Sequence, residues 1–450
     1  MRKNEATGHP GVKRIPHLRW WIAVLLGVLI TLNYIDRQSF PVAVLKIARD
    51  IPISDREYGL LQAIFLITYA AMYAGGGKII DVLGTRLGYA LMILWWSAAT
   101  VGQGLVHSLF GVEIARAMLG MGEGGGFPGA AKAVSEWFPA RERALAFGIF
   151  NAGASIGPTI AVPLVAGIMI ALNWRWVFFI AGGLGFVWLA VWWLLYDRPE
   201  THKRITLQER EYIRAGLAGS QNQSSSAQQV RIRWISLFRY RQLWGVILPK
   251  FLTDAAWFFL IFWLPKYLSD VRHLSLTAIA SLAWIPFAVS GIGSLAGGWV
   301  SSALIRRGTS IDHSRKIALS IGAGLVPFSA LITKAPVSTM IVWFSVALFG
   351  HQFWSAVLLT LNADIFPSSV VGSVAGLMGS SGSTGAAAFN LIAGILLSHY
   401  EAYGTLFLAV ALFYPFSLFI IWLLVRKVEP LSQEPSGPAP YRMETGHAEA

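Results

Sequence analysis

The first apolar run of the chain, W20-W-I-A-V-L-L-G-V-L-I-T-L-N-Y-I-D-R-Q-S-F-P-V-A-V-L45, contains an acid and a base, Asp36 and Arg37, side by side among hydrophobic residues. About 20 apolar residues are enough for a helix to cross a bilayer, so the run predicts a membrane span. A charge at the centre of such a span costs at least about 2.5–3.5 kcal/mol on insertion scales. Asp36 and Arg37 are therefore candidates for function.

The composition agrees with a membrane protein. Of 450 residues, 55% are hydrophobic and 13% are charged, whereas a soluble protein has about 25% charged residues. The net charge is +13, but the basic residues lie between apolar runs and not on one module, so we expect no nucleic-acid partner. The chain has no cysteine, which excludes disulfides and thiolate metal sites. The first run is too long for a cleaved signal peptide, and we expect it to be retained as a span.

The order of apolar runs predicts an all-α integral membrane protein with twelve transmembrane helices in two six-helix, pseudo-symmetric bundles. The runs are 20–46, 58–80, 87–106, 109–131, 144–172, 175–196, 244–268, 276–303, 316–334, 337–362, 369–397 and 403–426. The predicted domains are a tail at 1–19, bundles at 20–196 and 244–426, a central loop at 197–243 and a tail at 427–450. Within the central loop, residues 207–214 predict a short surface helix.

The distribution of Lys and Arg among the short loops predicts the orientation, since cytoplasmic loops carry more of them. One side of the predicted membrane protein receives most of these residues: Arg2, Lys3, Lys13, Arg14, Arg19, Arg86, Arg141, Arg143, Arg306, Arg307, Arg315, Lys316, Arg426 and Lys427. We therefore expect both termini and the central loop to be cytoplasmic, with the spans in the inner membrane of a bacterium.

Two motifs resemble those of a known family. G77-K-I-I-D-V-L-G-T-R86 resembles the signature loop of the major facilitator superfamily, and R116-A-M-L-G120 resembles its signature in the fourth helix. Further stretches resemble its anion:cation symporters, especially bacterial hexuronate transporters: S135-E-W-F-P-A-R-E-R143, F150-N-A-G-A-S-I-G157, K250-F-L-T-D-A-A-W257 and G350-H-Q-F-W-S-A-V-L-L-T360. The resemblance implies a proton-coupled symporter, not an enzyme, that imports a sugar acid such as glucuronate, galacturonate or an aldonate. We expect it to act as a monomer.

Helical geometry separates the two central charges of the first run. Adjacent helix residues point about 100° apart, so Asp36 and Arg37 do not face each other, whereas Asn33 and Arg37 share a face. A guanidinium can grip a carboxylate, which makes Arg37 with Asn33 a candidate anion site and leaves Asp36 free to take up a proton. The alternative is that each charge pairs with another helix and only fixes the packing.

The fourth run carries a second pair of charges. Arg116 and Glu123 are seven residues, or two turns, apart on one helix face, with small residues around them. We expect Glu123 to pair with Arg116 in one state and with Arg37 in another. The resemblance implies that Asp36 and Glu123 are proton sites, with Arg116 in the coupling set, and that Arg37 binds the substrate carboxylate. One departure is that some hexuronate transporters lack the acid before this arginine.

Polar and aromatic residues of other runs are candidates for binding a sugar. In the second half, Lys250 and Asp254 share a helix face, with Trp257 one turn on, and His351 is a weaker candidate for titration. The complete predicted substrate set is Asn33, Arg37, Tyr69, Asn151, Trp257, Gln352 and Asn390. The alternative for the uncharged polar residues is ordinary hydrogen bonding between helices, about 0.6 kcal/mol each.

Gating and energy source are predicted from the loops and from missing motifs. By resemblance, we expect Asp81, Arg86, Arg141 and Arg143 to form a cytoplasmic charge network that joins the halves when that side is closed. The sequence has no nucleotide-binding loop and no cluster of His and acidic residues, so we expect neither ATP, a cofactor nor a metal, and a proton gradient as the energy source. The alternatives are transport of another organic carboxylate, aromatic or dicarboxylic, and a non-transporting membrane receptor.

Overall fold

The computed structural model describes residues 14–226, 234–400, 402–429 and 431, and these residues are mostly helical. The helices of the first half are α1 Leu18–Asp50, α2 Asp55–Leu83, α3 Thr85–Leu105, α4 Leu109–Glu123, α5 Gly126–Trp137, α6 Ala140–Ala171 and α7 Trp174–Leu195, followed by α8 Leu207–Ser226. Those of the second half are α9 Arg241–Asp270, α10 Leu276–Leu282, α11 Ile285–Arg306, α12 Ile311–Leu325, α13 Val337–Ile365, α14 Ser368–Tyr400 and α15 Tyr403–Leu424. Two 3-10 segments, Trp234–Arg239 and Val326–Lys334, precede α9 and follow α12.

Twelve helical segments cross the membrane. Within the described part of the chain, ten are long and apolar enough to be recognised as spans by composition alone. The other two are α3, which contains several polar residues and glycines, and the pair α4–α5, which is broken at Gly124 and Gly125 and carries charges. The spans match the twelve predicted apolar runs, so the predicted fold class is confirmed. The helix predicted at 207–214 is present and extends to Ser226.

Packing pairs in the first half recur in the second. α1 packs along α6 as α9 packs along α14, and α2 packs on α4 as α11 packs on α13. Likewise, α3 contacts α7 as the 3-10 segment Val326–Lys334 contacts α15. The contacts between the halves are also related by this correspondence, in which α2 matches α11 and α6 matches α14. Helix α2 packs on α14, and α6 packs on α11. The halves are therefore related by pseudo-symmetry.

The two halves are tightly joined at the end of the molecule that carries residues 51–54, which we call the closed end. There Gln38 Nε2 donates to the carbonyl of Ile261 at 2.8 Å, and Tyr58 Oη donates to the carbonyl of Phe262 at 2.6 Å. Residues 35–44 of α1 and 253–265 of α9 are buried on every helix face. Toward the opposite end, where α1 begins and α15 ends, Gly372 and Gly376 of α14 have open space beside them. We call this the terminal end.

Close backbone approach at the closed end depends on glycine. A Cβ at Gly59 of α2 would lie 2.5 Å from the carbonyl oxygen of Asn390 and 2.8 Å from Cα of Gly394, both on α14. Real Cβ atoms do not come so close to backbone atoms, because interiors are packed to contact distance. Gly59 and Gly394 thus allow the two halves to meet without a gap.

Helix α8, which lies in the central loop of the sequence, is attached to the first half by three residues: Arg19, Glu142 and Glu209. We call this cluster the terminal clamp. The buried Glu209 of α8 accepts from the backbone N–H groups of Leu18 and Arg19 at 2.9 and 3.1 Å. Arg19 also donates to Glu209 and to Glu142 of α6, each at 2.8 Å. Glu209 therefore satisfies two of the free N–H groups at the start of α1 and complements the helix dipole.

Replacing Gly59 with Ala is expected to destabilise the described arrangement by about 1–3 kcal/mol, the usual cost of overpacking. The measurement is the thermal unfolding midpoint of the detergent-purified protein, which should fall. Gly102→Ala is the matched control, because a Cβ at Gly102 has nothing within 4 Å. It changes helix propensity without a clash. Equal midpoints for the two variants would show that the Gly59 contact is not tight.

Candidate functional site

The centre of the molecule contains an ion pair between Arg37 of α1 and Glu123 of α4. Nη2 and Nε of Arg37 lie 2.9 and 3.1 Å from the same carboxylate oxygen, Oε2 of Glu123. Both residues are about 1% exposed, so the pair is removed from solvent. The Oδ1 of Asn33 accepts a further bond from Nη2 at 3.2 Å, as their spacing of one turn predicts.

Polar atoms beside this ion pair have no hydrogen-bond partner among the described residues. They are Oε1 of Glu123 and Nδ2 of Asn33, an acceptor and a donor. Buried polar groups are nearly always satisfied by protein or water, and those that are not indicate a place for a ligand or water. The site can therefore receive a group that both accepts and donates hydrogen bonds.

Four aromatic rings surround the Arg37 guanidinium. Its carbon lies 4.6 Å from the ring centres of both Tyr34 and Tyr69, and 5.6 Å from that of Phe65. The fourth ring, Phe258 of α9, lies at 5.8 Å and belongs to the second half. Aromatic faces stabilise a desolvated cation, and together they exclude water from it. The cage joins both halves at Arg37.

Asp36 faces a different part of the first half. Its Oδ2 accepts from Oγ1 of Thr100 on α3 at 3.4 Å, and its side chain is 2% exposed. Arg37 instead pairs with α4, so the two neighbours in sequence point to different helices, as helical geometry predicts. The two side chains therefore lie in separate environments.

Arg116 lies near the Arg37 pair but makes few bonds. Its Nη2 donates to Oε1 of Gln62 on α2 at 2.6 Å, and its carbon lies 4.7 and 4.4 Å from the rings of Phe40 and Phe65. Its Nε and Nη1 are buried and have no partner in the described chain. Arg116 is thus a second buried cation, and its hydrogen-bonding capacity is only partly used.

The second half contributes another ion pair, between Lys250 and Asp254 of α9. Nζ of Lys250 lies 2.8 Å from Oδ1 of Asp254, and both side chains are largely buried. One turn further, Trp257 stacks on His351 of α13 with ring centres 4.4 Å apart. His351 also hydrogen-bonds the hydroxyl of Tyr414. His351 therefore covers one face of the Trp257 ring and helps to fix its position.

The structure brings together some of the predicted substrate residues and separates others. Asn33, Arg37 and Tyr69 lie at the ion pair, and Trp257 lies on the same helix as Phe258 of the cage. Asn390 is buried elsewhere, where its Oδ1 accepts from Nε1 of Trp263 at 2.9 Å. The remaining two predicted residues differ in exposure: Gln352 is half-buried, and Asn151 is exposed.

Three of the predicted gating residues form ion pairs or hydrogen bonds with residues of the first half or of the loop that follows it. Asp81 pairs with Lys132 at 2.8 Å, Arg86 lies 3.7 Å from Asp197, and Arg143 Nε donates to the carbonyl of Phe138 at 3.0 Å. The side chain of Arg141 lies outside the described residues. Their predicted role in joining the halves stays a prediction.

Sequence reasoning missed three residues of this site: Tyr34, Phe65 and Thr100. Tyr34 had a local signal, since it lies three residues before Arg37 and therefore on a neighbouring part of the same helix face. Phe65 and Thr100 belong to other helices, and only the tertiary packing brings them to Arg37 and Asp36. An apolar or hydroxyl side chain within a span has no distinguishing sequence signal.

Comparison with known proteins identifies relatives across the whole chain. The family model of the Major Facilitator Superfamily matches residues 26–362. A hexuronate transporter of Escherichia coli K12 is 32% identical over 436 residues, which is 95% of this chain and 100% of that protein. A galacturonate transporter of Dickeya chrysanthemi is 34% identical over 315 residues, 70% of this chain and 90% of that protein.

A solved structure shares the fold. The crystal structure of a bacterial homologue of the human lysosomal transporter Spinster, in an inward-facing and occupied conformation, superimposes with a TM-score of 0.71. It is 20% identical and covers 91% of this chain and 97% of that chain. At this coverage the likeness extends through both halves of the chain.

Replacing Arg37 with Met is expected to lower the free energy of unfolding by about 3–5 kcal/mol, because it leaves Glu123 as a buried carboxylate without its cation. The double variant Arg37→Met/Glu123→Met removes both charges and should recover much of this loss. Thermal unfolding of the wild type, both single variants and the double variant gives the coupling between the two side chains. Strictly additive effects would contradict a direct ion pair.

Proposed function

Because the chain belongs to the Major Facilitator Superfamily, we propose that it is a secondary transporter that carries a sugar acid together with protons. The substrates we propose are hexuronates, such as glucuronate and galacturonate, and aldonates. The main support for the proposal is the environment of Arg37, which is surrounded by aromatic rings and donates hydrogen bonds to Glu123 and Asn33. Beside it, Nδ2 of Asn33 is a donor and Oε1 of Glu123 an acceptor without a partner among the described residues. The names of the hexuronate and galacturonate transporters that resemble the chain support the same substrate class.

The site offers a simple way to bind a carboxylate. Nε and Nη2 of Arg37 both donate to one oxygen of Glu123. An incoming carboxylate can therefore replace Glu123 by accepting from the same two N–H groups. The Nδ2 of Asn33 is available to a substrate hydroxyl or carboxylate oxygen. Aromatic rings such as Tyr69 and Trp257 suit the faces of a sugar.

Proton coupling follows from this exchange of partners. While Glu123 is ionised it occupies Nε and Nη2 of Arg37, and a second carboxylate brought to these donors would be repelled by it in a buried site. A proton on Glu123 removes that charge and releases Arg37 to the substrate. Asp36, which faces Thr100 and not Arg37, is the second proposed proton site. Arg116 interacts electrostatically with Glu123 and offsets part of its charge while Glu123 is ionised.

The transport cycle alternates access between the two ends of the molecule. In the described conformation the closed end is held by α1 against α9 and by α2 against α14. To expose Arg37 at that end, these contacts must separate while the terminal end closes, and the proposed latch there includes Asp81, Arg86, Arg141 and Arg143. Two states of similar free energy are required, which a few weak surface ion pairs can balance.

We further propose that the protein acts as a monomer in the inner membrane of a bacterium, with both termini and the central segment in the cytoplasm. The multi-pass architecture and the bacterial relatives support this localisation. The excess of Lys and Arg in the loops of the terminal end supports the orientation. Under this orientation the closed end faces the outside of the cell, and the proton gradient drives import.

The proposal is tested by uptake of labelled glucuronate and galacturonate into proteoliposomes with an imposed pH gradient. The wild-type protein should accumulate at least one of them only when the outside is acidic. Arg37→Ala should abolish binding and uptake, because the substrate carboxylate loses its cation. Glu123→Gln should retain exchange of substrate across the membrane but lose accumulation driven by the gradient.

Two exposed residues of the same types provide matched controls, Arg214→Ala on α8 and Glu200→Gln in the loop before it. Both should transport like the wild type. Normal gradient-driven accumulation by Glu123→Gln would exclude its role in coupling. Uptake of neither sugar acid, nor of an aldonate, by the wild-type protein would exclude the proposed substrate class.

A further inference from the structure

The ion pair of Lys250 and Asp254 is not used by the binding and coupling steps described above. Its side chains are 14% and 10% exposed, although both lie within the membrane-spanning helix α9. A charge pair at this depth is costly to bury and is often functional. Its position relative to Arg37 indicates what it does.

A continuous wall of side chains links this pair to Arg37. Tyr69 lies against Arg37, and the ring of Tyr73 lies 5.8 Å further along α2. Tyr73 packs against Gly379 of α14, where a Cβ would stand 2.3 Å from its ring. One turn along α14, Gly382 faces Asp254. The wall therefore runs from the Arg37 cation to the Asp254 carboxylate.

The length of this wall suits a six-carbon acid. Phe258 lies 5.8 Å from Arg37, and Asp254 is one turn, about 6 Å, from Phe258 along α9. The two steps together come to at most about 12 Å. An extended six-carbon chain is roughly 6 Å long, and a hydrogen bond of about 3 Å at each end lets it span that distance. A sugar acid whose carboxylate binds Arg37 thus directs its other end toward Asp254 and Lys250.

The fold reserves space for the Asp254 carboxylate. A Cβ at Gly382 would stand 2.1 Å from Oδ2 of Asp254, so any other residue at position 382 would displace it. Oδ1 of Asp254 meanwhile accepts from Lys250 at 2.8 Å. The carboxylate is therefore held between a cation and a glycine, in a fixed place at the distal end of the site.

We propose that Asp254 determines the charge specificity of the site. Paired with Lys250, it makes the distal end neutral overall, so the site selects sugar acids with one carboxylate over those with two. The inference rests on the proposed sugar-acid transport and specifies which members of that class are accepted.

The physical reason is the strength of charge interactions in a buried site. The second carboxylate of a sugar diacid would lie beside Asp254, and two like charges a few ångströms apart repel strongly where water is excluded. A hydroxyl at the same place can instead accept from Lys250 and donate to Asp254, and an aldehyde oxygen can accept from Lys250. Asp254 thus acts as a repulsive element against the diacid, while Lys250 keeps the pair neutral toward the monoacid.

The test compares glucuronate and glucarate, which share a carbon skeleton and differ in one terminal group. Inhibition of labelled glucuronate uptake by each unlabelled acid is measured in proteoliposomes. The wild-type protein should bind glucarate at least tenfold more weakly than glucuronate. Asp254→Asn leaves Lys250 as an uncompensated cation and should shift this ratio at least tenfold toward glucarate.

Two further variants complete the test. Lys250→Gln leaves Asp254 unpaired and should shift the ratio further against glucarate, so it carries the test if Asp254→Asn does not fold. The double variant Lys250→Gln/Asp254→Asn is neutral again and should return toward the wild-type ratio. The shift expected in Asp254→Asn is a gain of glucarate binding, and simple damage to the fold cannot produce such a gain.

The matched control is the pair of Asp312 and Lys316, which has the same residue types and spacing on α12, with Nζ 2.9 Å from Oδ1. It lies in a separate cavity between α12 and α15, lined also by Trp422. Asp312→Asn and Lys316→Gln should leave the glucuronate to glucarate ratio unchanged.

Two results would overturn the inference. One is equal inhibition of the wild-type protein by both acids. The other is an unchanged glucuronate to glucarate ratio in Asp254→Asn, and a proportional loss of binding of both acids in that variant would indicate a structural role. Failure of the wild-type protein to take up any sugar acid is a separate result. It would exclude the proposed function itself, and this inference with it.

Discussion

Burial of the Arg37 guanidinium is the constraint on which the rest of the site depends. A cation that is about 1% exposed inside a membrane protein must have a counter-ion, acceptors and a water-excluding shell. Glu123 provides the charge, Asn33 provides an acceptor, and rings from both halves provide the shell. Because Phe258 belongs to the second half, the environment of Arg37 changes whenever the halves move. Binding at one cation is thereby linked to the arrangement of the whole molecule.

The two halves share their packing but not their chemistry. The helix pairs of one half recur in the other, yet the first half contains Asp36, Arg37, Arg116 and Glu123, and the second contains Lys250 and Asp254. In the described chain, several buried polar atoms without partners belong to the first half, including those of Gln62, Gln103 and Arg116. Unsatisfied polar groups make a core responsive to protons, water or ligand. The described second half has fewer such atoms, in Trp354, Asn362 and Ser417, and its Trp257 and His351 rings are stacked.

Much of the fold was predictable from the sequence because a bilayer restricts the chain to apolar helices. The twelve runs follow from the apolar length that a helix needs to cross a bilayer. The separation of Asp36 from Arg37 and the shared face of Asn33 and Arg37 follow from helix periodicity. The partners across helices did not. That Glu123 pairs with Arg37 in this conformation, that Asn390 accepts from Trp263, and that Phe65 lies beside two arginines are results of packing. Periodicity shows which residues share a face, but it does not show which face meets which neighbour.

The terminal clamp has a consequence for the order in which the protein is made. Leu18 and Glu209 are 191 residues apart, so the first amide groups of α1 have no such acceptor until the first six spans and the start of α8 have been synthesised. Until then, the start of the first membrane helix depends on water or lipid headgroups for its hydrogen bonds. Since domains fold largely as units during synthesis, the first half reaches its final form only when α8 has left the ribosome. The start of α8 thus belongs to the folding unit of the first half, although it follows the last helix of that half.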